Sequence, residues 1–211
     1  ALTEITERIK ESIDNGNFGC GIFIDLKKAF DTVNHKILLT KLEHYGIRNQ
    51  TLAWFESYLT NRKQYVYFNG ESSSLRNLTC GVPQGSVLGP LLFLIYINDL
   101  PNISSKLKFF LFADDTHIYF ECNDLKQMER TINQELRNLN LWLNINRLAL
   151  NISKTNFVIF QSPKKNISHN ITLKICNRAI CQKNSIKYLG ITIDCHLNWK
   201  QHIFNISKKI S

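Results

Sequence analysis

Of 211 residues, one is methionine, four are proline and nine are glycine. Such scarcity leaves no linker rich enough to mark a domain boundary, and no internal repeat stands out. None of the six cysteines (Cys20, Cys80, Cys122, Cys176, Cys181, Cys195) forms a CxxC pair. They read as reduced, partly buried thiols of an intracellular protein. A zinc site from Cys176, Cys181 and Cys195 with His196 or His202 stays open, although its spacing fits no standard pattern. Long apolar runs are absent too: the longest, Leu91 to Ile97, is far too short to span a bilayer. No signal peptide is visible. The chain opens on Ala1 rather than Met and stops at Ile210-Ser211, which raises the expectation of a piece cut from something longer. Sequon-like triplets at Asn102, Asn151, Asn166, Asn170 and Asn205 are explained by chance in a chain rich in Asn, Ile and Ser.

Acidic residues are also in short supply, with 17 Asp and Glu against 26 Lys and Arg, giving a net charge of +9. That surplus favours polyanionic partners, nucleic acid before an anionic membrane. Hydrophobic residues reach 44%, enough for a real core, which argues against intrinsic disorder.

Periodicity supplies the elements. Leu2, Ile5, Ile9 and Ile13 predict an amphipathic helix over 1–14, and Cys20 to Leu26 predicts a buried strand. Helices follow at His35–Tyr45 and Gln50–Leu59, divided by Gly46. Residues 64–69 and 75–80 read as strands around the turn pair Asn69-Gly70. An apolar helix runs to about Asp99; Leu107–Phe112 and Thr116–Phe120 are strands flanking Ala113-Asp114-Asp115. Leu125, Met128, Ile132, Leu136, Leu139 and Leu143 stripe a helix from Asp124 to about Asn144. Residues 155–160, 171–176 and 186–193 end the chain as strands, which makes it α+β.

The carboxylates carry the chemistry. A buried strand ordinarily avoids charge because an unpaired carboxylate is costly to take out of water, yet one strand here ends in Ile24-Asp25 and another runs into Asp114-Asp115. Adjacent acids at a hairpin tip repel unless a cation sits between them. If the two strands are neighbours, three carboxylates converge at one sheet edge, a set of hard oxygen ligands suited to Mg²⁺. In-line phosphoryl transfer with two metals needs such a cluster. The bland alternative is a polar turn plus a strand cap.

Longer segments decide between them. Phe23-Ile24-Asp25-Leu26-Lys27-Lys28-Ala29-Phe30-Asp31 and onward to His35, then Gly81-Val82-Pro83-Gln84-Gly85-Ser86 through Phe93 with Tyr96-Ile97-Asn98-Asp99-Leu100, then Phe112-Ala113-Asp114-Asp115-Thr116, then Asn151 with Lys154-Thr155, then Tyr188-Leu189-Gly190-Ile191, stand in that order. The series resembles the palm motifs of reverse transcriptases, specifically those of non-LTR (LINE-type) retrotransposons.

The resemblance implies a polymerase palm, an antiparallel sheet with helices packed on one face, with partial fingers and a thumb absent or only begun. Residues 1–194 would be the palm with partial fingers, and 195–211 the start of the palm-to-thumb connection. It implies Asp25, Asp114 and Asp115 as catalytic metal ligands for two Mg²⁺ ions (Mn²⁺ as the substitute), with the Leu26 carbonyl completing the shell. Phe30 falls where the family keeps its steric gate against a 2′-hydroxyl; as a bare residue it would read as core. Amides of Lys27, Lys28, Ala29 and Phe30 would face the triphosphate, with Gln84 and Gly85 beside the incoming nucleotide, where glycine permits close backbone approach. Ser86 reads equally as a helix cap. Lys154 would protonate the leaving pyrophosphate, or is a solvated lysine at a strand end. Tyr188, Leu189 and Gly190 would grip the primer. The six histidines form no metal-ligand pair, and His117 is taken for a strand-face residue. The implied partners are an RNA template, a DNA primer and dNTPs, without a membrane and in the nucleus and cytoplasm. Two readings compete: a group II intron or retron-type reverse transcriptase, and a non-catalytic nucleic-acid-binding remnant that keeps its charge without its chemistry.

Overall fold

The strand that carries the first acid is apolar throughout and buried throughout, so it needs partners on both edges and cover on both faces. In the computed structural model, which describes residues 2–165 and 169–210, it has them; the sequon at Asn166 lies outside the described residues. In chain order the elements are α1 (Leu2–Asp14), β1 (Phe18–Ile24), α2 (His35–His44), α3 (Asn49–Leu59), β2 (Lys63–Gln64), β3 (Tyr67–Phe68), β4 (Glu71–Ser72), β5 (Arg76–Asn77), α4 (Leu88–Ile97), β6 (Lys108–Phe112) and β7 (Asp115–Cys122). They continue with α5 (Leu125–Ile145), β8 (Asn156–Phe160), β9 (Lys174–Ile175), β10 (Arg178–Ala179), β11 (Cys181–Gln182), β12 (Ser185–Tyr188), β13 (Ile191–Asp194) and α6 (Lys200–Ile210). Single 3₁₀ turns occupy Ala29–Thr32 and Leu100–Ile103.

These elements form two units. The first comprises 1–25, 101–141 and 150–211, and the second 26–100 and 142–149. The division passes between Asp25 and Leu26 and through α5, where no glycine, proline or polar linker announces it.

The first unit is built on a five-stranded sheet in the order β11-β8-β1-β7-β6. All neighbours are antiparallel except β11 and β8. Alternation puts Gly19, Gly21 and Phe23 of β1 on one face with His117 and Tyr119 of β7 and Val158 and Phe160 of β8. Ile5 and Ile9 of α1 and Tyr188 and Ile193 of the β12–β13 hairpin close that face. Two glycines make the closure fit. A Cβ at Gly19 would stand 2.4 Å from Tyr119 Oη, and one at Gly21 2.9 Å from Phe160 Cε2. The opposite face, with Cys20, Ile22, Ile118 and Phe157, is buried as well. The α5 stripe from Leu125 to Leu139 is buried as its spacing requires.

In the second unit, α2 packs on both α3 and α4. Asn34 caps α2 by accepting from the Ile37 N–H at 3.1 Å. Tyr96, wholly buried, donates its hydroxyl to the Asn146 carbonyl at 2.5 Å. Beneath it Lys41 is held by the Tyr96 carbonyl at 2.6 Å and by Asp99 at 2.7 Å.

Four expected strands come out differently: 75–80 keeps only Arg76–Asn77, and 186–193 splits at Leu189-Gly190 into β12 and β13. The segment 64–69 is broken, pairing as β2–β5 and β3–β4, because Val66 and Ser73 interlock between them through two hydrogen bonds. The strand expected over 171–176 shrinks to Lys174–Ile175, since Cys176 and Asn177 both take positive φ and turn the chain into β10. Residues 200–210 form a helix that periodicity had not singled out.

Candidate active site

Register brings the acids together. Ile24, the last residue of β1, pairs with Thr116 of β7. Asp25 follows Ile24 directly and Asp115 directly precedes Thr116, so this last pair brings the two acids to the same end of the sheet, where both line one cavity. β6 and β7 are joined by a two-residue tip, Ala113-Asp114, closed by the pair Phe112 and Asp115. Ala113 adopts φ 50°, a left-handed conformation that disfavours a residue with a Cβ, and strain of this kind gathers at functional sites. Asp114 is exposed at the tip.

Asp25 is also fixed from the other edge. Its carbonyl accepts from the Asn151 N–H at 2.8 Å. Its own N–H donates to Thr155 Oγ1 at 3.3 Å, and that hydroxyl donates to the Asn151 carbonyl at 2.9 Å. Thr155 is wholly buried. Of the fourth-motif residues Asn151, Lys154 and Thr155, it is Asn151 and Thr155 that anchor the acid.

A cavity of about 170 Å³ opens at this point, lined by Asp25, Asp115, His117, Lys154, Tyr188 and Leu189 among others. The structure thus gathers five of the residues expected from sequence, from four separate segments. Partial burial raises the Asp115 carboxyl above its ordinary range, and the charges of Asp114 and Asp25 add to the rise. Tyr188 is raised by burial and then by the charge of Asp115. His117 is 1% exposed and burial lowers its pKa to about 3, so the ring is neutral. It stacks on Tyr188 with centroids 4.0 Å apart and meets Phe23 edge-on at 3.7 Å. No spacing rule would have found that sandwich, because Tyr188 lies on a different hairpin.

Asp115, raised by burial and by the charges of its two neighbours, offers hard oxygen donors to a divalent cation together with Asp25 and Asp114. Among the described residues, no group of three or more His, Cys, Asp or Glu side chains is gathered tightly enough to hold a metal ion. The acids therefore approach one another without forming a finished ligand shell. Nor are Cys176, Cys181 and Cys195 drawn together with a histidine; all six cysteines are free.

The remaining expected residues lie in the second unit. Leu26 begins it, and the Lys27 N–H is already engaged by the Ala149 carbonyl at 2.7 Å, which removes one amide from the set expected to face a triphosphate. Ala29 is buried, whereas Phe30 is partly exposed and packs on Phe93 with centroids 4.7 Å apart. Phe30 and Val33 are tied to the start of the second motif by hydrogen bonds from Val82 and Gly81. Gln84 donates to Asp31 at 2.7 Å, and both line an open cavity of about 620 Å³ together with Lys28 and Arg62. Gly85 has φ 77° and free space where a Cβ would be. Ser86, just before the N-cap Val87 of α4, accepts from the Gly89 N–H at 3.0 Å.

The family model described as reverse transcriptase (RNA-dependent DNA polymerase) matches residues 4–193. Among curated proteins, the chain is 29% identical over 213 residues to the probable RNA-directed DNA polymerase from transposon X-element of Drosophila melanogaster, covering 99% of this chain and 23% of that protein. It is also 29% identical over 205 residues to the RNA-directed DNA polymerase from mobile element jockey of the same fly, covering 94% and 22%. The chain thus spans under a quarter of these relatives, which are polymerases of mobile elements and do not favour the intron or retron alternative. In fold it is similar to telomerase from Candida tropicalis solved with a fragment of telomeric RNA, with a TM-score of 0.60 at 14% identity over 95% of this chain and 33% of that one. The chain belongs to the reverse transcriptase (RNA-dependent DNA polymerase) family.

Proposed function

We propose that the chain is the palm-centred part of an RNA-directed DNA polymerase of a non-LTR retrotransposon, which extends a DNA primer on an RNA template with dNTPs. The observation that supports this most is that Asp25 and Asp115 line one cavity at the end of the β1–β7 pair, with Asp114 near enough for its charge to raise Asp115. Two magnesium ions bound there would activate the primer 3′-hydroxyl and neutralise the leaving pyrophosphate. Asp25, Asp114 and Asp115 would hold the ions, with the Leu26 carbonyl as a further ligand. Lys154 lines the same cavity as two of the acids and is exposed there, well placed to hand a proton to a departing oxyanion. Tyr188 and Leu189 lie on that cavity too, at the tip of the β12–β13 hairpin where a primer end would be steadied. The exposed part of Phe30 would exclude a ribose 2′-hydroxyl, with Lys28, Gln84 and Gly85 contacting the nucleotide.

The test is extension of a primed RNA template with dNTPs and Mg²⁺ by the longest natural protein that carries this chain. Replacing Asp114 and Asp115 with Ala is expected to abolish synthesis while template binding largely persists, and Phe30→Ala to admit ribonucleotides. Undiminished extension by the double variant would remove the acids from the chemistry, and unchanged sugar discrimination would remove Phe30 as the gate.

A further inference from the structure

The second unit carries a surface that the phosphoryl-transfer chemistry leaves unused. Trp54 and Tyr58 of α3 are four residues apart and so share a helix face. Their rings stack with centroids 5.5 Å apart and planes 11° from parallel. One turn further, Arg62 sets its guanidinium over Tyr58 at 5.9 Å from the ring centroid. Trp54 remains 53% exposed, so the stack is presented to solvent rather than folded into a core. Arg62 also lines the cavity of Lys28, Asp31 and Gln84, so the aromatic ladder leads into that cavity. Beyond Arg62, Tyr65 after β2 and Tyr67 and Phe68 of β3 are exposed by 57%, 67% and 79%. Between Asn61 and Cys80 the charges are Arg62, Lys63 and Arg76 against Glu71 alone.

Flat aromatic faces interleaved with fixed cations ask for a partner that is both planar and anionic. An acidic peptide would satisfy the cations and leave the ring faces without a flat partner. A strand of unpaired nucleotides supplies both, bases for the rings and phosphates for the cations. A duplex keeps its base faces stacked inside and offers only phosphates. We propose that Trp54, Tyr58 and Arg62 form a stacking platform for single-stranded nucleic acid that runs into the Lys28–Gln84 cavity. The proposal rests on the polymerase reading in one respect: it gives the unpaired stretch of template a path across the second unit.

The experiment follows tryptophan emission and the anisotropy of labelled 12-mers of single-stranded RNA, single-stranded DNA and duplex. It is done without Mg²⁺, with a poly-glutamate peptide as competitor. Trp142 is 9% exposed, and Trp54 is the most exposed indole, so base stacking should appear as saturable quenching that is lost in Trp54→Phe. That variant keeps a stacking ring and should bind as the unsubstituted chain does. Trp54→Ala with Tyr58→Ala should bind single strands about tenfold or more weakly. Arg62→Gln should lower the salt slope by about one. RNA and DNA arms differing in affinity would identify the strand, and quenching by either supports the platform. The proposal is overturned if the double-alanine variant binds undiminished, if single strands leave emission unchanged, or if duplex or poly-glutamate quenches equally well. The same titration in the Asp114→Ala, Asp115→Ala background separates the two readings. Quenching there with no extension by any variant would sink the polymerase assignment alone. Acid-dependent extension with undiminished binding by the double-alanine variant would sink the platform alone.

Discussion

Thr155→Val is the sharpest perturbation of the site that leaves every carboxylate in place. Valine matches threonine in shape, so the wholly buried position keeps its volume and loses only the hydroxyl. What is lost is the hydroxyl that accepts from the Asp25 N–H at 3.3 Å and donates to the Asn151 carbonyl at 2.9 Å. Asn151 keeps a donor from the Thr155 N–H at 2.9 Å, so the cost falls on Asp25, whose amide is left without a partner. An orphaned amide costs about 1–3 kcal/mol. A contact as long as 3.3 Å at a half-exposed residue belongs to the lower part of that range. The expected loss is about 1–2 kcal/mol, which for a chain of this length lowers the melting temperature by about 2–8 °C. The larger effect should be on rate. With one of its backbone ties cut, Asp25 shifts relative to Asp115, and kcat for primer extension should fall about ten- to hundredfold with little change in KM. Thermal melts by circular dichroism and steady-state primer extension measure the two parts, and Thr155→Ser, which keeps the hydroxyl but empties a buried methyl site, should restore the rate while leaving the melting temperature lowered. If Thr155→Val melts lower yet extends primers at the original rate, or if serine fails to rescue the rate, the hydroxyl does not position the acid.

Three further outcomes follow from the same geometry. Magnesium at about ten times its dissociation constant should stabilise the chain by about 1.4 kcal/mol, or about 3–6 °C, and the Asp114→Ala, Asp115→Ala variant not at all; equal shifts in calorimetry would place the ion elsewhere. His117 has a folded pKa of about 3, so the unfolded chain takes up a proton near pH 6.5 that the folded chain refuses. Stability should be complete above that pH and fall towards pH 3 by roughly 1.4 kcal/mol per unit; urea midpoints between pH 6 and 4 should lose this slope in His117→Phe, and an unchanged slope would assign it to other groups. Gly21→Ala would place a Cβ 2.9 Å from Phe160 and 3.2 Å from Phe23, and denaturation should show a loss of about 1–3 kcal/mol, whereas a neutral result would mean the rings yield freely.

The sequence is most legible where local chemistry and tertiary demand agree. The α5 stripe, the Asn69-Gly70 turn and the strands flanking Asp114-Asp115 all sit where period and turn chemistry put them. Asp25, Asp115, Lys154, Tyr188 and Leu189 were drawn from the motif series, and one cavity holds them. Long-range partnerships are what a linear reading misses. Thr155 stands in the fourth motif, but its bond to Asp25 crosses 130 positions and no local pattern announces that partner. His117 looked like an ordinary strand residue, and only the arrival of Tyr188 from another hairpin reveals the stack. The Lys27 amide appeared available because its acceptor, Ala149, belongs to the segment just before the fourth motif. Strand lengths over 64–69 and 171–176 failed for a related reason, since side-chain hydrogen bonds and positive-φ pairs cut short what alternation alone would extend.

The central place of β1 has a consequence for biosynthesis. Ile24 meets Thr116 on one edge, and Phe23 meets Asn156 on the other. A ribosome adding about 5–20 residues per second therefore leaves this greasy segment without either neighbour for several seconds. Throughout that interval its bare amides and carbonyls are a template for any other extended peptide. Expression in a slow, crowded translation system should punish this chain through β1 first, and co-expressed holdases should relieve it.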